Sequence, residues 1–179
     1  MVLPTMRQTR LSLFFAATTA ALLLTSCGSD EKSFPVRTYS LGERIPLGHI
    51  TYTVFETQWL THIGAGTDAR VPEHRFFLVR VSAVNSGSGD VSVPAFVLQD
   101  DSGKTYNELS DGTGIPQWVS NLRTVKPAES AQGNVAFDAP PRHYKLKIQD
   151  EDGERTAFVD IPLNFGAESP DIVPVPEKK

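Results

Sequence analysis

The chain has 179 residues, 17 Lys and Arg against 21 Asp and Glu for a formal charge of −4, and a single cysteine. The mildly acidic balance argues against nucleic-acid binding, which needs a concentrated basic patch, and one cysteine excludes an internal disulfide. Thirteen glycines and thirteen prolines divide the chain into short pieces that suit strands and turns, not a helical bundle.

The first segment carries Arg7 and Arg10 and no acid before Asp30. Leu11 to Leu24 is apolar apart from Ser12, Thr18 and Thr19. At about 14 residues the run is too short to span a bilayer core comfortably, for which ~20 are needed. A basic start, a short apolar run and then small residues are the pattern of a secretory signal peptide, here residues 1–26, removed by cleavage. Met6 serves equally well as a start, because Met6-Arg7-Gln8-Thr9-Arg10 is itself an adequate basic region. The run ends in Leu24-Thr25-Ser26-Cys27-Gly28, which resembles a bacterial lipobox. That resemblance implies cleavage before Cys27 and fatty chains, palmitate among them, on its sulfur. A lone cysteine in an exported chain is either reactive or modified, and modification accounts for its position. One myristoyl chain gives only marginal membrane binding, K on the order of 10⁴ M⁻¹; lipoprotein maturation, as the resemblance implies, supplies two or three chains. Removing residues 1–26 takes two arginines and no acids, moving the formal charge from −4 to −6. No basic stretch then assists the lipid. Gly28 and Ser29 follow the cysteine, so the aspartate that favours inner-membrane retention in some diderm bacteria is absent, which hints at an outer surface.

Residues 27–37 are expected to be the lipidated cysteine and a flexible tether. A folded domain over 38–165, large enough for a substantial core, and a disordered, proline-rich tail over 166–179 complete the predicted organisation. In chain order, Tyr39 to Gly48 is extended, and Pro46 marks an edge because it cannot donate to a ladder. His49 to Leu60 alternates, with Ile50, Tyr52 and Val54 on one side and Thr51, Thr53, Phe55, Thr57 and Trp59 on the other. Thr61 to Glu73, with Gly64, Gly66 and Pro72, is a loop long enough to be mobile or functional. The organising stretch runs from Arg75 to Tyr106. Phe77, Val79, Val81 and Ala83 make one apolar register of a half-buried strand, and the other mixes Phe76, Leu78 and Val84 with Arg80 and Ser82. Strand-like runs follow at Val91–Val93 and Ala95–Gln99, then Asp100-Asp101-Ser102-Gly103, a type I turn by its Asp and Gly positions.

Glu108 to Lys126 shows no period and reads as a short helical turn or an irregular crossover. Lys126 to Ser130 is a turn, and Gly133–Asp138 is a strand closed by Pro140-Pro141. Tyr144, Leu146 and Ile148 alternate with Lys145, Lys147 and Gln149, a strand with one wet face. Asp150 to Gly153 repeats the turn logic, and Arg155 to Leu163 places Ala157, Val159, Ile161 and Leu163 on one face. Seven to nine short strands with turn signals every 8–12 residues predict an all-β, antiparallel β-sandwich.

A family resemblance runs through these same residues, over roughly Tyr39 to Leu163. It is carried by Leu41-Gly42, the strand from Val54 into Trp59, and Arg75-Phe76-Phe77-Leu78-Val79-Arg80-Val81 ending at Asn85. Leu98-Gln99-Asp100 with Gly103 and Tyr106, Pro127 before Gly133 to Asp138, and Tyr144-Lys145-Leu146 complete it. The chain resembles the immunoglobulin-like extracellular domain of uncharacterised bacterial lipoproteins, sometimes labelled after telomeric repeat-binding factor 2. The resemblance implies an immunoglobulin-like sandwich without the inter-sheet disulfide and brings no catalytic residue.

No two of His49, His62, His74 and His143 stand at a zinc-ligand spacing, and no cysteine remains to help. Asp100-Asp101, Asp111 and Asp150-Glu151-Asp152 offer oxygens to Ca²⁺ if two loops meet, though none fits an EF-hand loop and turn geometry already explains Asp with Gly. No Gly-x-Ser-x-Gly elbow or phosphate loop appears; a hydrolase triad assembled by the fold stays open because triads are recognised by geometry. Trp59 and Trp118 read as core, or else as a partner- or carbohydrate-stacking platform. The expectation is a non-enzymatic module without a cofactor, anchored to the outer or plasma membrane through Cys27 and facing periplasm or exterior. It presents loops to an envelope protein partner, first Thr61–Glu73 and Asp111–Leu122, since binding residues concentrate in rigidly held loops.

Overall fold

The computed structural model of the chain describes residues 34–64, 66–119 and 123–164. The predicted signal peptide, Cys27, most of the tether and the proline-rich tail lie outside the described residues. Eleven strands form within them: β1 (Arg37–Tyr39), β2 (Arg44–Leu47), β3 (Ile50–Leu60), β4 (Phe76–Asn85), β5 (Val91–Val93), β6 (Val97–Asp100), β7 (Thr105–Asn107), β8 (Arg123–Val125), β9 (Ser130–Asp138), β10 (Tyr144–Gln149) and β11 (Thr156–Ile161). One sheet has the order β1-β11-β10-β6-β7 and the other β2-β3-β4-β9, while β5 pairs with β8. All pairings are antiparallel except β1 with β11. This is an all-β, immunoglobulin-like β-sandwich. The count exceeds the seven to nine expected because β1, β7 and β8 have three residues each, too few to display an alternation.

The two sheets close on Tyr52, Phe77, Phe96, Leu98, Phe137, Tyr144, Leu146 and Ile148, all essentially without solvent contact. Each such side chain contributes ~1.5–3 kcal/mol by leaving water, so the core stands without a disulfide. Tyr144, the first residue of β10, donates its hydroxyl to the Pro140 carbonyl at 2.6 Å, the contact of a tyrosine corner. Leu146, two residues on, occupies the place where antibody domains carry an inter-sheet cysteine.

Pro46 lies on the edge strand β2, as its missing donor requires. The Asp100 turn closes as predicted: the Gly103 amide donates to the Asp100 carbonyl at 2.9 Å. Its side-chain Oδ1 accepts from the Ser102 amide, the Ser102 hydroxyl and the Lys104 amide. Two sequence expectations need correction. In β3 the register slips between Val54 and Glu56, a bulge that turns Phe55 outward and returns Thr57 and Trp59 to the face of Tyr52 and Val54. Trp59 therefore stacks on Phe77 with centroids 4.1 Å apart. In β11 the inward alternation stops at Ile161, where the strand ends, and Leu163 is exposed beyond it.

The two ends of the sandwich are distinct. Ile50 pairs with Asn85, the Tyr52 hydroxyl donates to the Gln149 carbonyl at 2.7 Å, and Arg37 pairs with Ala157, so the chain enters at this end. At the far end Leu60 pairs with Phe76 and Tyr144 with Asp100, and the loop after β3 leaves from there.

Candidate interaction surface

Leu60, Phe76, Leu78 and Ala136 present an apolar patch on the outer face of β3, β4 and β9, where a half-buried strand was expected to be wet. Two loop segments cover it, and Ile63, Leu109, Ile115 and Trp118 from those segments complete a second apolar cluster. Residues 61–64 and 66–73 are folded back on themselves: the Ile63 amide donates to the Arg70 carbonyl at 3.0 Å and the Arg70 amide to the Ile63 carbonyl at 2.8 Å. A 3₁₀ turn over Gly66–Asp68 makes the reversal. The loop that the sequence leaves mobile or functional is thus tied down through Ile63.

The second segment follows Leu109, whose amide donates to the Ala136 carbonyl of β9 at 2.8 Å. Asp111 then accepts from the Thr113 amide at 2.9 Å and the Thr113 hydroxyl at 2.7 Å. These two donors, with Arg70 beyond them, hold its carboxyl below the usual carboxylate range against a small opposing effect of burial. Trp118 lies flat over Gly112, where a Cβ would fall 1.8 Å from the indole. The strand-like stretch at Gln117–Val119 bonds to both backbone groups of Asn134 on the edge of β9, against Gly133, whose Cβ would sit 2.1 Å from the Gln117 carbonyl oxygen. Among the described residues, 108–119, the segment is an irregular crossover without a helix. Arg70 locks the two segments together. Its Nη1 donates to the Thr113 carbonyl at 2.8 Å and the Asp111 carbonyl at 3.2 Å, and its guanidinium stands 5.6 Å from the Phe76 ring centroid. Beside it Val71 is 79 % exposed. The two loops picked out separately in the sequence form one surface, within the limit that residues 120–122 lie outside the described set.

The acidic turns do not converge. Asp100 and Asp101 lie beside the start of β10, whereas Asp150 to Asp152 follow its end, so six strand residues, about 20 Å, separate them. Carboxylates at both places are also engaged by other partners. Asp100 binds Arg142 at 2.9 Å, and Asp150 accepts the Arg155 amide at 3.0 Å. Among the described residues no group of three His, Cys, Asp or Glu side chains could hold a metal ion.

The histidines, by contrast, are engaged. His143 bonds Asp101 through Nδ1 at 2.8 Å and Asp160 through Nε2 at 2.9 Å. His49 bonds Glu151 through both its ring Nδ1 and its amide. Burial pulls the Glu151 carboxyl up, yet its own amide, the His49 ring and the His49 amide together hold it below its usual range. His49, Gly87, Ser88, Gly89, Asp90 and Glu151 border a cleft of about 310 Å³ at the entry end.

Residues 39–157 match the family described as a domain of unknown function, DUF4352. The chain belongs to this family. No protein of curated function matches it. Among solved structures, the yjhA protein of Bacillus subtilis superposes with a TM-score of 0.55 at 16 % identity, covering 69 % of this chain and 98 % of that one. The secreted protein MPT63 of Mycobacterium tuberculosis gives 0.54 at 18 % identity over 72 % of this chain and 100 % of its own. A candidate lipoprotein of Bacillus subtilis, ycdA, gives 0.51 at 13 % identity, covering 67 % of this chain and 38 % of its own. At these identities the likeness establishes the sandwich fold.

Sequence reasoning missed one buried feature. Arg123 at the start of β8 forms a two-pronged pair with Glu108 (Nη2 to Oε2 2.8 Å, Nη1 to Oε1 3.1 Å). Glu108 also accepts the Phe96 amide at 3.0 Å, and Arg123 stands 4.7 Å from the Phe96 centroid. Fifteen residues and no periodic pattern separate the two charges, so nothing local signals the pair.

Proposed function

We propose that this chain is a lipid-anchored protein of a bacterial envelope that presents its sandwich to an envelope protein partner and catalyses no reaction. The lipobox-like residues before Cys27 support the anchor, and the secreted and candidate-lipoprotein neighbours are consistent with an extracellular or envelope location. The observation that carries the partner-binding reading is the joined loop surface around Arg70, Val71 and Thr113, rigidly backed and placed at the end of the sandwich opposite chain entry. Cys27 precedes Phe34 by seven residues, which reach at most about 25 Å when extended. A lipid on Cys27 would tether the domain to the membrane, facing the periplasm or exterior.

Two measurements test this reading. Labelled palmitate should enter the wild-type chain and not Cys27→Ser; an unmodified thiol still attached to its leader in intact-mass analysis removes the anchor. A partner crosslinked in detergent-solubilised envelope should be captured several-fold less by Val71→Asp, a change at a largely exposed side chain that should leave the fold intact. Equal capture by wild type and variant removes this surface from the proposal.

One observation favours a second reading, hydrolysis. Ser88, His49 and Glu151 border one cleft, with Glu151 on Nδ1 of His49 as the acid stands in a triad. Turnover of an activated ester that is lost in Ser88→Ala supports it, and turnover equal to the variant's dismisses it.

A further inference from the structure

His143 is bonded at both ring nitrogens to carboxylates from two different elements: Asp101 in the β6–β7 turn and Asp160 on β11. A neutral imidazole has one N–H donor and one lone pair. It can satisfy one of these carboxylates, while its bare nitrogen would confront the lone pairs of the other at less than 3 Å. Only the imidazolium donates to both. The arrangement thus specifies a protonation state by its geometry.

We propose that His143 is a pH-sensitive clasp whose imidazolium ties the β6–β7 turn to β11 across the outer face of the five-stranded sheet, and whose deprotonation releases the turn. The partner released is Asp101, because its side chain is 74 % exposed against 46 % for Asp160, and water replaces the weaker-shielded contact first. The device stands apart from the partner-binding reading and survives its failure.

The charges around His143 agree with this assignment. From the turn come Asp100 and Asp101, from β11 comes Asp160, and from its own segment come Arg142 and Lys145. Of the positive neighbours, Arg142 binds Asp100 at 2.9 Å, and Lys145 stands opposite Asp160 in the ladder register. Hydrogen bonds donated to Asp101 and then to Asp160 hold His143 above the ordinary histidine value of 6.5, with burial opposing. A group raised in the folded state stabilises fully below its unfolded value and loses that contribution as pH climbs through its folded value. The clasp is therefore closed in mild acid and opens on the alkaline side of 6.5.

The test is a ring-nitrogen NMR titration of His143 in the full chain. The imidazolium signature should persist above pH 6.5, and its midpoint should fall in Asp101→Asn and in Asp160→Asn. The melting midpoint of wild type should exceed that of His143→Gln by more at pH 5.5 than at pH 8.5. A wild-type midpoint at or below 6.5 overturns the proposal, a reading that needs no variant to fold. So does an equal gap between wild type and His143→Gln at the two pH values, since a merely structural histidine would produce that.

Discussion

The inner and outer faces of β4 are both buried, but by different means. On the inner face Phe77, Val79 and Val81 meet the opposite sheet, strand against strand, in a core that spans the whole domain. On the outer face Phe76 and Leu78 are covered by two loops, held to each other by Arg70 and to β9 by the backbone of Asn134. The first kind of burial is cooperative with folding itself. The second is an added layer, and local opening draws on such layers at lower free energy than global unfolding. A surface so built can be rigid enough to recognise a partner and still separable from the fold that carries it.

Three substitutions probe this difference. Phe137→Ala, in the inner core, should cost ~3–5 kcal/mol and remove all amide protection together in hydrogen exchange. If only part of the chain loses protection, the inner core is not the unit of folding. Gly112→Ala places a methyl inside the Trp118 ring and should cost ~1–3 kcal/mol by overpacking. Its expected signature is a red shift of tryptophan emission with exchange rising in residues 61–64, 66–73 and 108–119, while β10 and β11 stay protected. Loss of protection throughout would merge the two clusters into one. Phe55→Thr, at the outward bulge of β3 where the ring is 45 % exposed, should change stability by no more than about 0.5 kcal/mol in denaturant titration. A cost above 2 kcal/mol would mean that Phe55 is packed and the bulge misassigned.

The bulge also shows where reading by alternation stops. Strict period-2 counting groups Phe55 with Thr57 and Trp59, and a single extra residue reverses the two that follow it. No residue type at Val54–Glu56 announces that slip, because a bulge is decided by the partner strand's register. Val79 takes Thr57 and Val81 takes Val54. The outer cluster was hidden for a similar reason. Phe76 and Leu78 stand in the mixed register with Arg80 and Ser82, and their burial depends on Ile63 and Trp118, thirteen and forty-two residues from Phe76. Of the surface itself the two loop segments were legible as segments, since Gly, Pro and the lack of period mark them. Their union through Arg70 was not.

The amino-acid sequence by itself determined the longer strands, the turns and the class of fold, because alternation, β-branching and Asp-with-Gly chemistry act over a few neighbours along the chain. It also placed Pro46 on an edge and left the core without a disulfide. Only the tertiary structure decided which charges would meet: Glu108 with Arg123 in the interior, Glu151 with His49 at one end, and Asp101 and Asp160 on either side of His143 at the other. Electrostatic and hydrogen-bonding partners are chosen by proximity in space, and in an antiparallel sandwich the residues that touch are set by ladder register across the sheets.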